Sequence, residues 1–159
     1  MVNQLLSQLP ALPRPMQLLR LPVRVIPGAV HSHGLAFILN KVLTETLDHN
    51  ELGFLDGRVL QISISDLGLD YRLTLRNGRL TAAANHRQSD VRFGGLLKEF
   101  MLLALNKEDP DTLFFQRRLQ LEGDTELGLE IKNFLYTLDE KILPWPVRQA
   151  ANRVVQLLA

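Results

Sequence analysis

The sequence predicts an α+β layer protein, with helices covering one face of a mostly antiparallel sheet. Three observations predict it. Residues 58–65 and 69–76 alternate apolar and polar side chains with a period of two, the pattern of half-buried strands. Asn77-Gly78 follows the second run, and both residue types accept positive φ, as a two-residue hairpin requires. The flanking stretches instead repeat apolar residues at spacings of three and four, the stripe of an amphipathic helix.

The elements follow in chain order. Residues 1–30 read as an apolar, basic arm, because Pro10, Pro13, Pro15 and Pro22 forbid one continuous helix. Its leucines need a surface to cover them: the domain itself, a partner or a membrane interface. A helix is expected over 32–48, with Leu35, Ile38, Leu39, Val42, Leu43 and Leu47 on one face and Ser32 as its N-cap. A meander of strands comes next, over 58–65, 69–76, 79–84 and around Val91 and Phe93. Ala82 and Ala84 are small and leave room beside the sheet, either for a closely packed helix or for a ligand. Residues 96–105 are nearly all apolar and read as a buried helix. Asp109 before Pro110 is an N-cap with proline at the first helical position, opening a short helix through Phe114 and Phe115. A strand over 118–122 leads to a turn at Gly123-Asp124, and Asp124 or Thr125 caps a helix over 126–139. The stripe of that helix is Leu127, Ile131, Phe134, Leu135 and Leu138. Pro144 and Pro146 interrupt the chain around Trp145, and a last helix carries Val147, Ala150, Ala151, Val154, Val155 and Leu158 on one side. The organisation is an arm (1–30), a folded domain (31–140) and a C-terminal amphipathic helix (141–159).

Composition narrows the chemistry. The chain has no cysteine, so disulfides, thiolate nucleophiles and cysteine-ligated metal centres are excluded. No apolar run approaches the ~20 residues needed to span a bilayer, and no secretory signal is evident, so a cytoplasmic location is expected. Residues 1–44 carry four bases and no acid, and residues 141–159 carry three bases and no acid. All 17 acids lie between them, against 11 bases. Basic apolar ends on an acidic body suit contact with an anionic surface, although solvated faces give the same pattern. There is no phosphate-binding glycine loop, dinucleotide fingerprint or nucleophile elbow. His31-Ser32-His33 lacks a nearby third ligand for a metal, and Arg117-Arg118 reads as ion-paired or solvated rather than as a phosphate site. The bases are dispersed and no stacking motif is present, so nucleic-acid binding is not expected.

A family resemblance enters at residues 109–133. The run Asp109-Pro110-Asp111-Thr112-Leu113-Phe114-Phe115-Gln116-Arg117-Arg118, then Glu122-Gly123-Asp124-Thr125-Glu126-Leu127-Gly128-Leu129 and Lys132-Asn133, resembles the ubiquinone-biosynthesis accessory factors of the UbiT type. Glu51-Leu52 with Phe54-Leu55 and Gly57-Arg58 is similar too, and the resemblance covers roughly 32–140. These are bacterial proteins on a sterol-carrier-protein type lipid-binding domain. The resemblance implies a five-stranded sheet with helices enclosing an apolar tunnel. It implies a non-catalytic role in oxygen-independent ubiquinone synthesis, binding prenylated quinone precursors or phospholipid for iron–sulfur hydroxylase partners that resemble collagenase-like peptidases. No cofactor is expected beyond that bound ligand.

On this reading the tunnel lies between the sheet residues Leu60, Ile62, Leu73 and Leu80 and the helical residues Phe100, Leu103, Ile131, Phe134 and Leu135. Phe114 and Phe115 are expected to project into it. Trp145 and the terminal helix act as a lid or a peripheral membrane foot, with Arg148 and Arg153 meeting anionic headgroups. The rival reading is a protein-interaction or scaffold subunit without lipid cargo, docking through its arm. A homodimer is compatible with either.

Overall fold

The computed structural model describes residues 28–84, 86–138 and 142–159. The arm therefore lies outside the described residues, except that 28–30 already belong to the first helix. That helix, α1, spans Gly28–Val42, and α2 spans Thr44–Asp48. A 3-10 turn at Gly53–Leu55 leads to β1 (Leu60–Ile64), β2 (Leu69–Arg76), β3 (Arg79–Ala82) and β4 (Val91–Gly95). Then come α3 (Leu97–Ala104), α4 (Pro110–Phe115), β5 (Leu119–Gly123), α5 (Thr125–Thr137) and α6 (Trp145–Leu158).

The sheet is five-stranded, in the order β3-β2-β1-β4-β5, and it is mixed. β1 pairs antiparallel with β2, setting Leu60 against Leu73, and parallel with β4, setting Leu60 against Val91. The expected meander is thus corrected: after β3 the chain returns past β2 and β1 and adds β4 on the far side. Asp90 anchors that crossover. Its carboxylate accepts from Val59 N at 2.7 Å, its own amide donates to Val59 O at 2.9 Å, and Arg58 Nε stands 3.4 Å from its other oxygen. Period-two alternation assigns residues to a strand and a face, but not a strand to its neighbour.

The hairpin is as expected, with Asn77 and Gly78 at φ 51° and 72° and Arg76 opposite Arg79. Asp109 accepts from Thr112 N at 3.0 Å and Asp124 from Leu127 N at 2.8 Å, confirming both as N-caps. Ser32 is not one. It lies inside α1, 3% exposed, and its hydroxyl accepts from Arg72 N at 3.0 Å, where β2 runs past the end of β3. Asn40, two turns further on, uses both amide atoms on Leu80, donating to its carbonyl at 2.8 Å and accepting from its N–H at 2.9 Å. α1 therefore lies along the outer edge of β3.

One sheet face is apolar and carries Leu60, Leu73, Leu75, Val91 and Phe93 into the core. Leu73, Leu113, Leu119, Val59 and Val91 are almost completely buried there. The other face is polar. On it Asp70 accepts from Ser63 and, at 3.0 Å, from Gln61, while Arg92 Nε donates to Ser63 Oγ at 3.0 Å. These bonds, that of Ser63 foremost, hold the Asp70 carboxyl below the usual carboxylate range.

Arg118 is ion-paired, as read from the sequence. Its guanidinium reaches Glu99 of α3 at 2.6 Å and Glu108 at 2.6 Å, and Glu99 is 6% exposed. The two carboxylates raise the Arg118 pKa further above its ordinary value. Gly123 closes β5 at φ 114°, and a Cβ there would stand 2.5 Å from Asp90 O.

α6 packs against α3, with Ala151 7% exposed at the contact. Ala151, Val154, Val155 and Leu158 of the expected stripe are buried or half-buried, but the stripe differs at its start. Val147 and Ala150 are exposed, whereas Arg148 and Asn152 are half-buried. Asn152 Nδ2 turns back to donate to Arg148 O at 3.0 Å, which satisfies its amide inside the helix and lets a polar residue border the contact.

Candidate functional site

The apolar sheet face does not close completely onto its helices. A partly open cavity of about 190 Å³ remains between them. Its floor is Leu60, Ile62, Leu73, Leu80 and Phe93 of the sheet. Its walls come from α1 (Leu39, Val42), from the 3-10 turn (Phe54, Leu55) and from α5 (Ile131, Phe134, Leu135). Ile142 and Leu143, just before α6, complete it. Among the described residues every side chain on that lining is apolar. The described lining therefore offers shape and contact area. Burying a ligand's alkyl carbons there is worth about 0.8 kcal/mol per CH₂.

The sequence placed part of this lining. Leu60, Ile62, Leu73, Leu80, Ile131, Phe134 and Leu135 converge on the cavity as expected. Phe100, Leu103 and Phe114 belong to the neighbouring core instead. Phe93, which does line the void, stacks edge-on with Phe100 at 4.9 Å and lies tilted against Phe114 at 6.0 Å. Phe115 is corrected outright: it is 89% exposed. α4 is a short helix anchored by Leu113, so its next-but-one residue necessarily faces away. Trp145 is 65% exposed and outside the lining, although Ile142 and Leu143 beside it are within. Arg148 and Arg153 lie five residues apart, about 140° around a helix, so they do not share a face. Arg148 borders the α3 contact, and Arg153 lies in the exposed arc with Trp145 and Leu157.

Leu52, Phe54 and Leu55 were missed as lining residues, since a non-periodic segment between a helix and a strand reads as a loop. The signal was the resemblance of residues 51–58 itself. His31 stacks edge-on with Tyr71 at 6.3 Å, and among the described residues no three metal-binding side chains gather.

Residues 39–136 match the model of the SCP-2 sterol transfer family. The ubiquinone biosynthesis accessory factor UbiT of Escherichia coli K12 is 40% identical over 131 residues, covering 82% of this chain and 75% of that protein. Among solved structures, the UbiJ-SCP2 ubiquinone synthesis protein superposes with a TM-score of 0.54 at 14% identity, over 69% of this chain and 96% of that one. At that identity the likeness speaks for the fold. The matched residues take in all five strands and most of the cavity lining. The chain belongs to the SCP-2 sterol transfer family, as one of its UbiT-type members.

Proposed function

We propose that this chain is a non-catalytic lipid-binding accessory factor of ubiquinone biosynthesis. Its ligand on this reading is a prenylated quinone precursor or a membrane phospholipid, presented to hydroxylase partners in an oxygen-independent pathway. The observation that carries the reading is the wholly apolar cavity in the core of a sterol-carrier fold. The void is smaller than the ~300–1,000 Å³ of typical small-molecule sites, so a prenyl or acyl tail enters by parting the lining side chains. Packing around a cavity costs stability, which makes such parting cheaper here than in a filled core.

The test is native mass spectrometry of the purified protein, followed by solvent extraction of whatever travels with it. Ala104→Phe fills the cavity from α3 without removing a core side chain. We expect a co-purifying prenylated phenol, quinone or phospholipid in the parent chain, and at least about a tenfold drop in occupancy for the variant, as the loss of about two buried methylenes gives. A parent chain that stays empty after incubation with quinone-loaded vesicles turns the reading toward the scaffold alternative.

Membrane delivery is placed on α6, whose exposed arc holds Trp145, Arg153 and Leu157. A base near an anionic surface contributes about 1 kcal/mol and an acid there costs about as much, so Arg153→Glu is expected to weaken co-sedimentation with phosphatidylglycerol vesicles about thirtyfold at low salt. Binding that is unchanged by this reversal removes α6 from the membrane contact.

A further inference from the structure

The polar face of the sheet carries a second pocket, unconnected with the apolar cavity. It has a volume of about 550 Å³ and lies beside the β2–β3 hairpin, where Ala82 to Ala84 keep its wall low. Thr74 lines it at 4% exposure, and its hydroxyl has no hydrogen-bond partner among the described residues. A buried hydroxyl left unpaired is costly, so a ligand that pairs with it gains from the contact. Thr81 stands directly across from Thr74 on β3 and also lines the pocket.

The charged residues described in its lining, Arg76 and Arg87, have one sign. Arg76 lies two residues along from Thr74 on the same face and forms no ion pair among the described residues. It stands directly opposite Arg79, an arrangement of like charges that destabilises a hairpin. Asp48 draws Arg79 aside at 3.3 Å, which leaves Arg76 to the pocket. Arg87 is fixed there because its Nη2 donates to Gly57 O at 2.6 Å, and α1 adds the imidazole of His33. Among the described residues no carboxylate lines the pocket.

Among the described residues, two guanidiniums, an imidazole and two hydroxyls line this one pocket, with no acid beside them. Thr74 and Leu73 are neighbours on one strand and point to opposite faces, so a ligand here does not share the apolar cavity. The geometry points to a binding site for a phosphate group, either free phosphate or the headgroup of a phospholipid. Tetrahedral phosphate has enough acceptor oxygens to engage both arginines and the orphan Thr74 hydroxyl together.

The experiment is an amide-resolved NMR titration of the full chain with sodium phosphate, against sodium chloride of equal ionic strength. A parallel titration uses dihexanoylphosphatidylglycerol below its micelle concentration. Saturating shifts at Thr74, Thr81 and Ala82 to Ala84 are expected, weakened at least about tenfold in Arg76→Gln, the scale of a lost charge-assisted bond. Thr74→Val, which removes a hydroxyl without partners among the described residues, is expected to keep the apo spectrum elsewhere and to lose affinity for phosphate. Tighter binding of the lipid names the headgroup as the source, and equal or weaker binding names free phosphate. Shifts that stay linear and diffuse with both probes, or affinities that neither variant changes, overturn the site.

Discussion

Arg118→Met is expected to destabilise the fold by about 3 kcal/mol, the usual cost of stranding one partner of a buried ion pair. The reason lies in Glu99, which is 6% exposed and whose carboxylate oxygen meets Arg118 at 2.6 Å. Glu108, the other partner, is more open and can turn to water. Glu99 sits on α3 with no such freedom, so the variant leaves a buried charge against a packed helix. For a chain of this size the loss corresponds to a drop in Tm of roughly 6–12 °C. Urea unfolding of the variant checks the size, and Arg118→Met combined with Glu99→Leu checks the cause. The double variant is expected to regain most of the stability, since an apolar pair replaces the ionic one. If it is no more stable than the single variant, the ion pair is not the source of the loss.

Gly123→Ala is expected to cost a further independent ~3 kcal/mol or so, from backbone strain together with steric overlap. At φ 114° an L-residue is strained whatever the space, and the added Cβ would meet Asp90 O at 2.5 Å. That oxygen cannot simply retreat. It accepts from Asp124 N at 2.9 Å, and Asp124 in turn caps α5 and holds Arg58 at 2.8 Å. Pushing Asp90 away therefore strains the β4–β5 ladder and the start of α5 together. Thermal unfolding measures the effect. A variant within 1 °C of the parent would mean that β5 relaxes at this turn.

How much of this was legible in the sequence depended on the range of the interaction. Hairpin, caps and strand faces are set within a few residues, and Asn77-Gly78, Asp109, Asp124 and the alternation around Leu60 and Leu73 gave them directly. The neighbour of β1 depends on Asp90 binding the backbone of Val59 across 31 residues, which leaves no periodic trace. Ser32 has the right residue type for a cap, but its hydroxyl serves a strand 40 residues away. Phe114 and Phe115 are adjacent and chemically alike, and only the docking of α4 through Leu113 decides that one packs on Phe93 and the other faces water. The cavity was legible as a set of apolar faces. Which of them touch the void depends on where packing falls short, and that is a property of the assembled layers.

The two amide bonds of Asn40 to Leu80 carry a consequence for how the protein behaves in a crowd. A border strand with free N–H and C=O groups recruits the strands of other molecules, the first step toward fibrous or amorphous association. Here one side chain occupies both groups at the middle of the β3 border, so a neighbouring molecule must first displace it. The opposite border, β5, ends in Glu122 and a sharply turned Gly123, the charge and bend with which sheets discourage such additions. A protein with this much apolar surface to manage can then remain dispersed at concentrations where bare sheet borders would begin to associate.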